Sequence, residues 1–283
     1  MKISLVISTL GRADELARLF ASLDAQTYRD FDVIVVDQND DDRIARVIAD
    51  ADATFPVERI HTPGARGLSR GRNVGWRQAK GEVIAFPDDD CWYPSWFLER
   101  AVSLIQSKEA DIVTGRAADE EARSINGRFE ETASWVTRDL VWTTQIEWVA
   151  FFSRAILDAV GGYDEDVGVG ASTPWQACEG QEIVLRALHQ GAKVRYDPSL
   201  YGHHKSLDVP SPDKAARQKA LAYARGHGFV LRTHGFSSAD LAYWLFRPLA
   251  RSGVTLLQGR PQRALQSALT ARGRAEGYFK KCL

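Results

Sequence analysis

Cysteine is scarce in this chain of 283 residues. Cys91, Cys178 and Cys282 are widely spaced and form no CxxC pair. An odd, scattered set is a poor disulfide framework, so a reducing compartment, the cytoplasm, is the simpler expectation. Long apolar runs are also missing: no stretch approaches the roughly 20 residues that a transmembrane helix needs. The N-terminal run Ile3 to Ile7 is too short for the apolar region of a signal peptide and reads as a buried strand. Nor is there an excess of one charge. The 36 Lys and Arg face 37 Asp and Glu, a formal net charge of -1, whereas a nucleic-acid binder should be basic. The phosphate-binding fingerprints GxxxxGK[ST] and GxGxxG are absent. With 45% hydrophobic and 26% charged residues, the composition excludes a disordered chain.

The first hundred residues alternate strand-like and helix-like patterns. Ile3 to Ile7, Asp32 to Val36, Val57 to Ile60 and Glu82 to Phe86 read as strands. Between them, Leu16, Leu19, Phe20 and Leu23 share one helical face, and Gly67 to Ala79 reads as a helix. Repeated βα units with continuous apolar strands predict a mostly parallel sheet flanked by helices. Ligands of such sheets bind at the carboxyl ends of the strands. Thr9 and Arg12 follow the first strand, Asp37 the second, and Pro87-Asp88-Asp89-Asp90 the fourth.

In an extended or turn segment Asp88 and Asp90 project to one side, where they can share a hard cation such as Mg²⁺ or Mn²⁺. The competing reading is a solvated Asp-rich turn capping a helix that starts near Pro94-Ser95. Mutual repulsion of three adjacent carboxylates favours the cation. Arg70 and Arg72, in a small-residue segment that opens a helix, suit a diphosphate, although an ordinary capped helix with exposed Arg fits equally. Glu179 follows a Gly-rich loop and reads as a helix start, and Glu182 lies one turn later. Either can be a general base or a helix-start carboxylate. Tyr201-Gly202-His203-His204 follows the strand-like Lys193 to Tyr196, so one imidazole can reach a cation or a diphosphate oxygen.

Taken in order, these pieces resemble the bacterial family 2 inverting glycosyltransferases, which have the GT-A fold. The resemblance runs from Val6 to about His204. It rests on Val6-Ile7-Ser8-Thr9, Ser22 to Tyr28, Val35-Val36-Asp37, Gly67-Leu68-Ser69 with Arg72-Asn73-Val74-Gly75, Phe86 to Asp90, Gly161 to Glu165, Glu179 to Arg186, and His203-His204. It implies an α/β GT-A domain with a nucleotide-sugar half (1–115) and an acceptor half (116–210); beyond it, residues 211–283 read as a helical C-terminal extension, since they show no strand signals. It also implies that Thr9, Arg12, Asp37, Arg72, Asn73, Asp88 and Asp89 bind the nucleotide of a donor, a UDP-sugar in first place. Asp88 and Asp90 would form an Asp-x-Asp motif holding Mn²⁺ or Mg²⁺ together with His204, with Asp90 the direct ligand. Glu179 and Glu182 fall on the acidic motif that supplies the catalytic base. The family often has adjacent Glu-Asp there, whereas this chain has Glu179-Gly180 and Glu182; Glu179 is preferred. Gln38 replaces the second Asp of a frequent Asp-Asp pair.

The acceptor would be a hydroxyl-bearing glycan, polysaccharide or lipid-linked sugar. Five of the eight Trp lie between Trp96 and Trp175, and Trp175 is the expected acceptor contact, with plain packing as the alternative. Two other function classes compete. A nucleotidyltransferase would need a Gly-rich basic loop soon after the first strand, and Gly11-Arg12 stands alone. A non-catalytic sugar-nucleotide binder would have no use for the full carboxylate set.

The neutral total hides a division. Residues 241–283 hold Arg247, Arg251, Arg260, Arg263, Arg272, Arg274, Lys280 and Lys281 against Glu276 alone. Trp244, Leu245, Phe246, Leu249, Leu256, Leu257, Leu265 and Leu269 are interleaved with them. Such a segment suits either helices docked on the body with a solvated basic face, or a peripheral contact with an anionic membrane.

Overall fold

The computed structural model describes residues 1–206 and 211–282. The elements run β1 (Ile3–Thr9), α1 (Asp14–Asp24), β2 (Phe31–Asp37), α2 (Arg43–Asp50), β3 (Val57–His61), α3 (Leu68–Gln78), β4 (Val83–Ala85) and α4 (Phe97–Lys108). Then follow β5 (Ile112–Ala118), β6 (Ser134–Trp135), β7 (Phe151–Ser153), α5 (Arg154–Val160), α6 (Glu179–His189) and β8 (Val194–His203). Three helices close the chain: α7 (Lys214–Thr233), α8 (Ser238–Leu257) and α9 (Pro261–Phe279).

Among the described residues the strands form one sheet in the order β3-β2-β1-β4-β7-β5-β8-β6. The β3-β2-β1-β4 half is parallel; β7 runs antiparallel to both β4 and β5. All seven residues of β1 are buried, as expected of a strand covered on both faces. Leu16, Leu19, Phe20 and Leu23 of α1 pack into the same core as Ile3, Leu5 and Ile7. Close approach of α3 to the sheet depends on glycine. A Cβ on Gly75 would lie 2.3 Å from Val6 Cγ1, and one on Gly71 would lie 2.1 Å from Ser8 Oγ.

Contacts divide the chain into two compact units, one of residues 1–163 and 183–207, the other of 164–182 and 208–283. This grouping follows contacts rather than chain order. Its physical reason is local: the loop before α6 packs on α7, with Trp175 stacked on Phe229 at 4.8 Å and Gly226 set against Ala177. Two differences from the sequence reading concern the sheet and its flanks. The strand expected at 193–196 continues as β8 through Gly202 to His203, so Tyr201 and His203 are strand residues rather than post-strand loop. The helix expected near Pro94-Ser95 starts at Phe97.

The second unit is built on close helix packing. A Cβ on Gly228 of α7 would lie 2.0 Å from the Arg274 carbonyl oxygen, and one on Gly277 of α9 would lie 2.0 Å from that of Arg225. Pro248 stands inside α8 and has no N–H to give to the Trp244 carbonyl one turn back. Arg274 Nη1 of α9 donates to that carbonyl instead, at 2.6 Å.

Candidate active site

β1, β2 and β4 end at one edge. Thr9 is in register with Asp37, and Ser8 forms an isolated parallel bridge with Asp88. Thr9, Asp37 and the Asp88 to Asp90 turn therefore share the carboxyl edge of the parallel half-sheet, the place where such sheets bind ligands.

The turn is held by cations and hydroxyls. Thr9 Oγ1 donates to Asp89 Oδ2 at 2.7 Å, and Arg12 Nη1 donates to Asp89 Oδ1. Arg12 Nη2 lies 3.0 Å from Asp90 Oδ2. On the other flank Arg72 of α3, 1% exposed, donates from Nη2 to Asp88 Oδ1 at 2.8 Å. His204, just past β8, places Nε2 3.2 Å from Asp90 Oδ1. Arg18 donates to the Asp90 carbonyl at 3.3 Å and lies over the Trp92 ring at 3.6 Å.

Burial and neighbouring charge pull the three carboxyls apart. Asp88 is pushed up to about 7, chiefly by desolvation, with Arg72 opposing and Glu147, Asp90 and Asp89 adding repulsion. Desolvation also raises Asp89, against Arg12 and Thr9. At Asp90 burial works upward too, but the hydrogen bond and charge of His204, with Arg12, outweigh it and the carboxyl falls below its ordinary value. His204 is correspondingly raised: desolvation works against it, and Asp90 outweighs that. Cys91, buried and raised by desolvation, donates to the Asp88 carbonyl from Sγ at 3.0 Å and is a packing residue.

Asp37 is fully buried. Arg59 Nε and Nη2 donate to its Oδ2 at 2.9 and 2.7 Å, and Asn39 N and Nδ2 donate to its Oδ1 at 3.0 and 2.8 Å. Gln38 is turned toward the backbone, giving Nε2 to the Gly67 carbonyl at 3.0 Å. Asn73 is a brace. Its Nδ2 donates to the Tyr163 carbonyl at 2.9 Å, and its Oδ1 accepts from Tyr163 N at 2.8 Å and from Trp76 Nε1 at 3.2 Å. Gly162 makes that brace fit: its φ is +83°, and a Cβ there would lie 2.4 Å from Trp76 Nε1.

The acidic pair stands at the start of α6, in the other unit. Cys178 precedes it with φ at +72°, a left-handed conformation uncommon for a residue with a side chain, and its carbonyl accepts from Glu182 N at 2.9 Å. Glu179 and Glu182 are each 3% exposed. Glu182 Oε1 lies 3.4 Å from Nε2 of His234, the residue that caps the C-terminus of α7. Trp175, before them, is partly exposed and stacks on Phe229.

A family model described as "Glycosyl transferase family 2" matches residues 4–158. The chain belongs to that family. This family 2 glycosyltransferase is 28% identical over 240 residues to an uncharacterised glycosyltransferase of Haemophilus influenzae, covering 80% of this chain and 76% of that protein. Its fold is the GT-A fold. The mannosyltransferase PcManGT of Pyrobaculum calidifontis, in complex with GDP-Man and Mn²⁺, superposes with a TM-score of 0.67 at 16% identity, over 99% of this chain and 88% of that one. TarS 1-349 of Staphylococcus aureus, in complex with UDP-GlcNAc, gives 0.57 at 18% identity, over 99% and 93%.

Within the first unit of this glycosyltransferase, Thr9, Arg12, Arg72, Asp88, Asp89, Asp90 and His204 come together on the sheet edge. Asp37 and Asn73 lie nearby in the chain's own network, their polar atoms engaged by Arg59, Asn39, Trp76 and the Tyr163 backbone. Sequence reasoning missed Arg59, Arg18 and Glu147. Arg59 had a readable signal: it sits in β3 in register with Val35, two residues before Asp37. Glu147 had none, since its charge acts on Asp88 from a short 3₁₀ turn, Glu147 to Val149, remote in sequence.

Proposed function

We propose that this glycosyltransferase moves a sugar from a nucleotide-diphosphate sugar to a hydroxyl acceptor by a single, inverting, cation-assisted displacement. One observation carries the reading: Asp88, Asp89 and Asp90 stand with Arg12, Arg72 and His204 at the carboxyl edge of the parallel half-sheet.

The edge fits a divalent cation in its chemistry. Carboxylate and imidazole are donors that Mn²⁺ accepts. The side chains of Asp88 and Asp90 keep 23% and 18% exposure, so both are open to a ligand. Among the described residues no three His, Cys, Asp or Glu side chains are preset around a common point, so Asp88, Asp90 and His204 would have to turn toward a cation, with diphosphate oxygens and water completing its shell. Held by Asp88, Asp90 and His204, the cation would neutralise charge on the leaving diphosphate.

The remaining roles belong to the chain itself. Thr9, Arg12, Arg72 and Asp89 bind the nucleotide, and Asp37, Asn39 and Asn73 keep the walls of that pocket in place. Glu179 accepts the proton of the acceptor hydroxyl. The oxygen forms its bond to the anomeric carbon while the bond from that carbon to the diphosphate oxygen breaks, and the anomeric configuration inverts. Glu182 positions the start of α6 through His234. The exposed part of Trp175 packs against the acceptor sugar.

A UDP-sugar is the proposed donor, the nucleotide class named for the TarS complex, and the acceptor is a glycan or lipid-linked hydroxyl. The enzyme would work in the cytoplasm, peripheral to the inner membrane face through 241–283. Thermal-shift screening of nucleotide sugars with Mn²⁺ tests the donor, since a ligand that binds the folded state raises its apparent stability. A shift with one sugar nucleotide, followed by release of its nucleoside diphosphate, is expected. A shift only with nucleoside triphosphates, with pyrophosphate released, would replace this reading by nucleotidyl transfer.

A further inference from the structure

The second unit has an amphipathic helix whose apolar side faces outward. α8 is 20 residues long, and its buried residues are only Leu241, Pro248 and Thr255, one narrow line repeating every seventh residue. Tyr243, Phe246, Leu249, Val254, Leu256 and Leu257 are exposed by 57%, 69%, 53%, 53%, 60% and 92%. At 100° per residue these side chains, with Ala250 and Gly253 between them, form one continuous stripe. Arg247 and Arg251 border one side of the stripe, and Arg260 stands just beyond its end, all three exposed.

The charge around the stripe is of one sign. Asp240 is the helix's single carboxylate, and it is spent at the opposite end in a capping box with Ser237. Glu276, the single carboxylate of α9, is buried between Arg225 and Arg272, at 2.6 Å from each. The exposed arginines therefore face solvent with no acidic neighbour on either helix. A long apolar face edged by cations matches the surface of an anionic bilayer, apolar inside and negative at the headgroups. No described helix is long and apolar enough to cross a membrane, so the match is to a helix lying in the surface. A second copy of the chain on this face would bring one cationic edge toward another.

We propose that α8 is an in-plane membrane anchor. Tyr243, Phe246, Leu249, Val254 and Leu257 enter the acyl boundary, and Arg247, Arg251 and Arg260 contact anionic lipid headgroups. This rests on the peripheral placement given under the proposed function and specifies which surface makes it. It does not depend on the identity of donor or acceptor.

Co-sedimentation of the full chain with vesicles tests it, using phosphatidylcholine alone and phosphatidylcholine with one third phosphatidylglycerol. Binding is expected only to the phosphatidylglycerol vesicles, falling as salt rises. The double variant Phe246→Ser/Leu257→Ser, at two solvent-exposed positions, should lower binding by ~10-fold or more, a difference of about 1.4 kcal/mol or larger. Arg247→Glu/Arg251→Glu should remove the preference for phosphatidylglycerol. Both variants should keep the wild-type melting temperature and wild-type release of nucleoside diphosphate with a soluble acceptor. Failure of the vesicle arm alone thus separates this inference from the transfer reading. No binding by the wild type, or binding that neither variant alters, would overturn the proposal. So would a dimer in solution that Phe246→Ser/Leu257→Ser dissociates, since the stripe would then be an interface between copies.

Discussion

His204 Nε2 and Asp90 Oδ1 stand 3.2 Å apart, joining the end of β8 to the turn after β4. The contact lies across the sheet's change of direction, because β7 runs antiparallel between β4 and β5, and β5 carries β8. An imidazole and a carboxylate from distant parts of the chain thus meet at one end of the parallel strands. The pair has two consequences: each raises the charged fraction of the other, and both can turn toward a cation that displaces the mutual contact.

Replacement of Asp90 by Ala should abolish sugar transfer, by ~100-fold or more in kcat/KM, the scale of losing a group aimed at developing charge. The fold should be kept, because removing this carboxylate also removes repulsion on Asp88 and Asp89. Donor-dependent nucleoside diphosphate release and a thermal melt check the two halves of the prediction.

The two carboxylates of α6 should separate kinetically. Glu179→Gln should lower kcat by ~100-fold or more, the scale of a general base, with donor affinity unchanged. Glu182→Gln should cost less in kcat and more in melting temperature, since Glu182 is tied to buried His234. Single-turnover rates beside donor-binding titrations measure both. The reverse order would make Glu182 the base.

Two glycines in helices should respond with opposite signs to Ala. Ala normally gains about 1 kcal/mol over Gly inside a helix. Gly253 of α8 has nothing within 4 Å of a new Cβ, so Gly253→Ala should stabilise. Gly228 of α7 has the Arg274 carbonyl oxygen 2.0 Å from that position, so Gly228→Ala should cost about 1–3 kcal/mol as α7 and α9 are forced apart. Urea unfolding of the two variants gives the comparison.

Acid should weaken the helical unit through His227. This ring packs edge-on against Trp244 at 4.7 Å, and burial, with the Arg274 charge, holds it well below its ordinary value. The folded form keeps His227 neutral while the unfolded chain takes up a proton below about 6.5, so stability falls as pH drops beneath that value. The slope from this one group approaches about 1.4 kcal/mol per pH unit. His227→Gln should flatten the pH dependence of the melting temperature between pH 6.5 and 5, whatever its effect at pH 7.5.

Much of the sheet was legible because β1, β2 and β4 are continuous apolar runs, and their ends pointed to Thr9, Asp37 and Asp88 to Asp90. The short antiparallel strands β6 and β7, of two and three residues, are too brief to show a period. The site's supports were hidden for a different reason. Asn73 holding Tyr163, and Gln38 holding Gly67, are side-chain-to-backbone contacts set by tertiary placement, with no local pattern. Amphipathicity of the C-terminal segment was plain in sequence, but periodicity cannot say which face turns inward. In α8 Leu241, Pro248 and Thr255 turn inward and Trp244 packs on His227, leaving Tyr243, Phe246, Leu249, Val254, Leu256 and Leu257 outside.

The central claim is cation-assisted transfer from a nucleotide-diphosphate sugar at the Asp88 to Asp90 edge. Its most direct test is release of nucleoside diphosphate from the sugar nucleotide found by thermal shift, followed with Mn²⁺, after chelation, and with Asp90→Ala. Release that needs both the cation and Asp90, with an inverted anomeric product, is the predicted result. Full release in chelated buffer, or an Asp90→Ala enzyme as active as the wild type, would contradict it.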